Sequence, residues 1–194
     1  MKNPLIAAAT RLRQGLNIGV RGSKSISPTA YYTGYVWARH GVGPSSLATP
    51  EGRLAYWAAQ PLVTALSFAG VPTIEQVLLS RHAVIDSLLT DAIESGQVGN
   101  VVEIASGMSP RGHTFAARFG DQITYVDTDL PQMAALKKAE LAKIGENTDH
   151  HRVEVLDALA SDGDSSLAAV CARLDHSKGL AIITEGLLNY LPRD

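Results

Sequence analysis

Cysteine is almost absent. Cys171 is the single one in 194 residues, which excludes an internal disulfide and a cysteine-based zinc site and makes a reducing compartment the natural expectation. Long apolar runs are missing as well, and none approaches the roughly 18–20 residues that a membrane-spanning helix needs. The N-terminal apolar run, Pro4 to Ala9, is short, and no A-x-A pattern follows it. No signal peptide is read there, so a cytoplasmic location without a membrane partner is expected. Glycine (17) and proline (9) are too few and too scattered for a fibrous or low-complexity chain. Charged residues make up 19% and hydrophobic residues 45%. That balance excludes wholesale disorder and suits one domain of ordinary size with a packed core.

What charge there is lies unevenly. Residues 1–60 hold Lys2, Arg11, Arg13, Arg21, Lys24, Arg39 and Arg53 against Glu51 alone, a net charge of +6, so the remainder carries −8 of the total of −2. A basic cap docking on an acidic body accounts for this as well as an anionic partner does. The basic residues form no cluster, so nucleic acid is not among the expected partners.

Residues 1–72 are punctuated by glycine, proline and serine, with short helical patches and a concentration of aromatics at Tyr31, Tyr32, Tyr35 and Trp37. A helix is predicted over 51–69, interrupted at Pro61. From Ile74 the pattern becomes regular. Helices are predicted over 74–95, 112–119, 131–145 and 165–174, and strands over 101–105, 122–126, 152–156 and 180–184. The αβαβαβαβ order implies right-handed crossovers and a parallel sheet with helices on both faces. The expected division is an N-terminal helical cap over 1–72 and an α/β core over 73–194. Leu180 to Thr184 reads as a strand buried on both faces and paired on both edges. A sheet that ended on it would expose an apolar edge and favour self-association, which makes a homodimer an expected partner state.

Ligands of such sheets bind beyond the carboxyl ends of the strands. Acids gather there: Glu103, Asp127 with Asp129, Asp157, and Glu185. One acid after a strand is often only a helix cap. Acids on four strands point to a ligand rich in hydroxyl, amine or amide donors. The loop Gly107-Met108-Ser109-Pro110-Arg111-Gly112 has the register of the dinucleotide fingerprint G-x-G-x-x-G, but Ser109 and Pro110 spoil its approach to a pyrophosphate. Glu103 would repel phosphate too. A phosphate-free ligand with a cationic end fits better. S-adenosyl-L-methionine has a sulfonium, an amine, a carboxylate and a ribose diol, and Asp127 and Asp129 lie at the spacing past Gly107 expected of a ribose-binding acid.

Several segments together resemble the leucine carboxyl methyltransferase-like family of class I S-adenosylmethionine-dependent methyltransferases, which includes bacterial O-methyltransferases of polyketide biosynthesis. They are V-V-E-I-A-S-G-M-S-P-R-G (101–112), Y-V-D-T-D-L-P-Q-M (125–133), V-L-D-A-L (155–159), T-E-G-L-L-N-Y-L (184–191), S-P-T-A-Y-Y-T-G-Y-V-W (27–37) and S-R-H-A-V-I-D (80–86). The resemblance implies a doubly wound Rossmann-like methyltransferase sheet, with four parallel strands in this chain and three further strands in family members. It implies S-adenosyl-L-methionine as cofactor, held by Lys24, Arg81, Glu103, Ala105, Gly107, Asp127, Asp129, Asp157, Ala158 and Glu185. Within that set, Lys24 and Arg81 would meet the cofactor carboxylate, Glu103 and Glu185 its methionine end, Asp129 in preference to Asp127 the ribose, and Asp157 with Ala158 the adenine. The shortened sheet is expected to leave the chain weakly active or inactive by itself.

Other roles stay open for these residues. Arg81 is placed in a buried stripe with Val77, Val84, Leu88 and Ala92, where an internal salt bridge would serve it equally. Asp157 and one of Asp127 and Asp129 have capping roles available. The six histidines and Cys171 show no metal-ligand or triad spacing, so neither a metal nor a catalytic base is assigned. The expected function is transfer of a methyl group to the hydroxyl or carboxyl oxygen of a small-molecule acceptor. A non-catalytic remnant or assembly subunit, and a nicotinamide-dependent oxidoreductase, are the alternatives.

Overall fold

The structure is a computed structural model that describes residues 28–68, 72–145 and 149–189. Helix α1 (Pro28–Arg39) and helix α2 (Pro50–Phe68) pack on each other, joined through a 3-10 turn at Ser45–Leu47. Helix α3 (Ile74–Glu94) starts at a reciprocal cap. Thr73 Oγ1 accepts from the Gln76 N–H (3.2 Å) and the Thr73 N–H donates to Gln76 Oε1 (3.0 Å), which satisfies two of the helix's otherwise unpaired donors. Then follow β1 (Asn100–Ile104), α4 (Arg111–Phe119), β2 (Thr124–Asp129), α5 (Pro131–Ala142), β3 (His151–Val155), α6 (Leu167–Cys171) and β4 (Leu180–Ile183).

The four strands form one parallel sheet in the order β3-β2-β1-β4. The chain steps outward from β1 to β3 and then returns to the far side of β1, so the order reverses between β1 and β4. In open α/β sheets that reversal opens a crevice at the carboxyl ends of the strands. Val101, Tyr125 and Ile183 face one side of the sheet and pack on Leu89 and Ile93 of α3 and Phe115 and Phe119 of α4. Val102, Ile104 and Val126 face the other side, against Leu156, Val170 and Leu174. A third cluster joins α5 to the N-terminal helices through Leu47, Met108, Met133, Leu141 and Val153.

Four expectations are corrected. Helix α2 runs through Pro61 without a break; Pro61 and Trp57, whose carbonyl loses its partner, both lie on the exposed side, where water can take that bond. The stripe of Val77, Val84 and Leu88 on α3 is exposed, and the buried face is Leu78, His82, Leu89 and Ile93. Both faces carry apolar residues, so periodicity alone could not choose between them. Strand β4 is not buried on both faces: Leu180 and Ile182 are 43% and 49% exposed, and among the described residues β4 pairs with β1 alone. Strand β2 extends past Val126 to include Asp127 and Asp129, which places Asp127 inside the sheet opposite Glu103 rather than beyond its end.

Gly112 shows how closely α4 approaches the sheet. A Cβ there would lie 2.6 Å from Asp127 Oδ2 and closer still to His151 Nε2. Gly112→Ala is expected to cost about 1–3 kcal/mol through this crowding, read as a lower urea midpoint. An unchanged midpoint would mean that the helix can move away without loss.

Candidate functional site

The loop after β1 sits at the reversal of strand order. Ala105 has a φ of 54° and Gly107 one of 52°, a left-handed geometry that is costly for alanine and easy for glycine. Three of the loop's backbone donors are engaged by the protein itself. The Ser106 N–H donates to the Thr128 carbonyl (2.9 Å) and the Ser109 N–H to the Ser106 carbonyl (2.9 Å), while the Gly107 N–H donates to Asp129 Oδ2 (2.8 Å). Pro110 has no donor. The loop therefore presents shape, and not the cradle of N–H groups that binds a pyrophosphate. Above it lies α1. Ala30 Cβ is 3.2 Å from where a Gly107 Cβ would stand, and a Cβ at Gly34 would meet Met108 Cβ at 2.5 Å.

Two buried charge clusters flank the loop. In the first, the Arg111 guanidinium, fully shielded from water, donates through Nε to Asp86 Oδ1 (2.5 Å), through Nη1 to Glu103 Oε1 (2.6 Å) and through Nη2 to Glu185 Oε2 (2.6 Å). Tyr125 Oη donates to Glu103 Oε2 (2.6 Å). Glu185 Oε1 accepts from Arg81 Nε (2.9 Å), and Glu185 Oε2 lies 2.9 Å from His82 Nδ1. In the second cluster, Asp127 Oδ2 is held by Lys137 Nζ (2.8 Å) and lies 2.7 Å from His151 Nε2. Lys137 Nζ also donates to Ser106 Oγ (3.2 Å), which ties the cluster to the loop.

Electrostatics sort the acids. Burial opposes the charge on Asp127, but Lys137 and His151 overcome it and hold the carboxyl at about 2. Burial likewise opposes the charge on Glu185, and His82 and Arg111 bring it to about 2. Glu103 is pushed up by burial and by its neighbour Asp127, against the pull of Arg111. Asp129 is also pushed up by burial, although the Gly107 and Leu130 N–H groups favour its charge. The same balance drives Arg111 upward: burial works against its charge, and Glu103, Tyr125, Glu185 and Asp86 outweigh it.

The structure thus brings Arg81, Glu103, Glu185, Ala105, Gly107 and Asp129 to one end of the sheet. Arg81 is 37% exposed at its side chain. Glu185 grips it through Nε, and its two terminal nitrogens lie beside Gly186. Asp129 stands at the last position of β2 and accepts from the Gly107 and Leu130 N–H groups. Asp127 is fully buried in its own ion pair, so the outward-facing acid of β2 is Asp129. Asp157 and Ala158 are exposed beyond β3, where Asp157 Oδ1 accepts from the Leu159 N–H (2.9 Å). Lys24 lies outside the described residues.

Sequence reasoning missed Arg111, Lys137, His82, Asp86 and His151. One signal was available: at helical spacing Lys137 falls among Met133, Ala134 and Leu141, all buried on α5, and a lysine on an apolar face calls for an anion. Arg111 gave no such sign, because its acids come from α3, β1 and the segment after β4.

Comparison with known proteins matches residues 46–194 to the family "Leucine carboxyl methyltransferase". A protein of Mycolicibacterium gilvum (strain PYR-GCK) named "Putative S-adenosyl-L-methionine-dependent methyltransferase" is 32% identical over 117 residues, 60% of this chain and 36% of that protein. A protein of the same name from Mycolicibacterium vanbaalenii (strain DSM 7251) is 28% identical over 127 residues, 64% of this chain and 40% of that protein. The chain spans well under half the length of these curated relatives.

The Lys137–Asp127 pair has a pH signature. Its stabilisation is present above the ordinary aspartate range near pH 4 and is lost as pH falls through the folded value of about 2. Lys137→Met is expected to cost about 3–5 kcal/mol at pH 7. The gap from the unaltered protein should close between pH 4 and 2, as followed by urea unfolding. A gap that stays constant over that range would show that the pair is not the source of the loss.

Proposed function

The chain belongs to the leucine carboxyl methyltransferase family, and from that premise we propose that it binds S-adenosyl-L-methionine at the carboxyl ends of β1, β2 and β4 and transfers the methyl group to a hydroxyl or carboxyl oxygen of a small molecule. One observation carries the reading. The rim around the reversal of strand order offers the Asp129 carboxylate and the Arg81 guanidinium fork, while the Ser106, Gly107 and Ser109 N–H groups of the loop are engaged by the protein itself. A ligand with a ribose diol, an amine and a carboxylate complements that rim, and a phosphate-bearing dinucleotide does not.

In this reading Asp129 accepts from the ribose hydroxyls, since each of its oxygens keeps a lone pair after the Gly107 and Leu130 N–H groups are served. The terminal nitrogens of Arg81 take the methionyl carboxylate as a fork. Glu185 stands behind Arg81 at the methionine end, and Glu103 lies beneath it on Arg111. The left-handed turn at Ala105 and Gly107 permits close approach. Asp157 and Ala158 border the adenine, and the N-terminal helices serve as a cap over the loop.

When bound, the cofactor supplies an electrophilic methyl group on a sulfonium: the acceptor oxygen bonds to that carbon as the carbon–sulfur bond breaks and sulfur keeps the electron pair. The protein's share of such a displacement is chiefly alignment. A carboxylate acceptor needs no base at neutral pH, whereas a hydroxyl acceptor does.

Isothermal titration is expected to show binding of S-adenosylmethionine and S-adenosylhomocysteine and none of NAD. Arg81→Ala should weaken that binding by on the order of 2–4 kcal/mol while shifting the melting temperature little, and Arg81→Lys should recover only part. Normal binding together with a large drop in melting temperature would make Arg81 a structural ion-pair partner of Glu185. A folded sample that binds neither cofactor form would end the proposal.

A further inference from the structure

Arg81 can grip a carboxylate only if its fork is already turned toward the crevice. Its side chain is long and partly exposed, and a free arginine there would lose considerable rotamer freedom on binding. The contact that orients it is Glu185 Oε1, which accepts from Arg81 Nε at 2.9 Å and so leaves the two terminal nitrogens for a ligand. Glu185 lies two residues beyond the edge strand β4, outside the sheet's hydrogen-bonding ladder. Something else has to fix it.

Arg111 does so. Each of its three nitrogens meets a different acid: Nε meets Asp86 of α3, Nη1 meets Glu103 of β1 and Nη2 meets Glu185. Asp86 and Glu103 belong to regular elements and define the plane of the guanidinium. The third nitrogen then holds Glu185 Oε2, which His82 Nδ1 also approaches at 2.9 Å. Arg111 itself is buried, and all three of its guanidinium nitrogens are taken by acids of the protein.

We propose that Arg111 is a positioning residue for the methionine end of the cofactor, acting through Glu185 to pre-orient Arg81. The proposal rests on the reading of Arg81 as the partner of the methionyl carboxylate. Lysine cannot replace Arg111 here, because one ammonium cannot reach three acids set around a planar fork. The benefit lies in preorganisation, so its loss falls on ligands that carry the carboxylate and spares those that lack it.

The test compares two probes by isothermal titration. S-adenosylhomocysteine carries the methionine-derived carboxylate and amine; 5′-methylthioadenosine keeps the adenosine and sulfur but has neither. Arg111→Lys is expected to weaken S-adenosylhomocysteine roughly tenfold or more and to leave 5′-methylthioadenosine within about twofold. Equal losses for both probes would make Arg111 a general structural residue, and no loss for either would remove it from the site; both results overturn the proposal. Circular dichroism melting checks the fold. If Arg111→Lys does not fold, Asp86→Asn, at a partly exposed partner of Arg111 Nε, is expected to give the same selective loss on a smaller scale, and equal or absent losses there overturn the proposal too. An unaltered protein that binds the two probes equally tightly, or binds neither, would refute the underlying reading of Arg81 before any variant is made.

Discussion

A guanidinium cut off from water must be matched by acids on every side, and Arg111 imposes that condition on three separate parts of the chain. A buried charge left without a partner costs several kcal/mol, comparable with the stability of a whole domain. Asp86, Glu103 and Glu185 therefore have to converge on it, and their convergence fixes α3, β1 and the segment after β4 relative to α4. Lys137 does the same for Asp127 and the loop at Ser106. The end of the sheet that carries the crevice is held by charge, while its middle is held by ordinary apolar packing around Val101, Tyr125 and Val126.

This division explains how a loop with left-handed turns at Ala105 and Gly107 stays in place. Such turns persist only where their surroundings over-determine them. Ser106 is anchored to Thr128 through its backbone and to Lys137 through its side chain. Gly107 is anchored to Asp129. The N-terminal helices add the last constraint from above, with Ala30 and Gly34 pressed against Gly107 and Met108. The anchors come from three elements, β2, α5 and α1, so the rim of the crevice takes shape only when all three are in position.

The alternation of helices and strands was legible because a parallel strand covered on both faces reads as a short apolar run, and Val101-Val102 between polar brackets is one. The gathering of acids at one end of the sheet was legible for the same reason: strand ends locate themselves once the runs are found. The partners of those acids were not. Arg111 and Glu185 are 74 residues apart, and His82 and Glu185 are 103 apart, separations at which no local pattern operates. Helix α3 misled for a different reason. Val77, Val84 and Leu88 form as good an apolar stripe as the buried one, and only the position of the sheet decides which turns inward. Asp127 and Asp129 differ by two residues and so share a face of β2, and what separates their roles is that one stands opposite Glu103 and the other at the strand's last position.

The register of β1 against β2 places Glu103 directly opposite Asp127. Like charges in such positions repel, and they are tolerated here because Arg111 and Lys137 reach each of them from the helices above. A slip of one residue in either strand would turn its acid to the other face, among Val170, Leu174 and Leu156 and away from Arg111 and Lys137. Apolar strands such as Val101-Val102 and Tyr125-Val126 would tolerate that error on hydrophobicity alone. The two acids make it costly, so the buried charges that hold this end of the sheet together also act as a proofreading device for the pairing of its strands during folding.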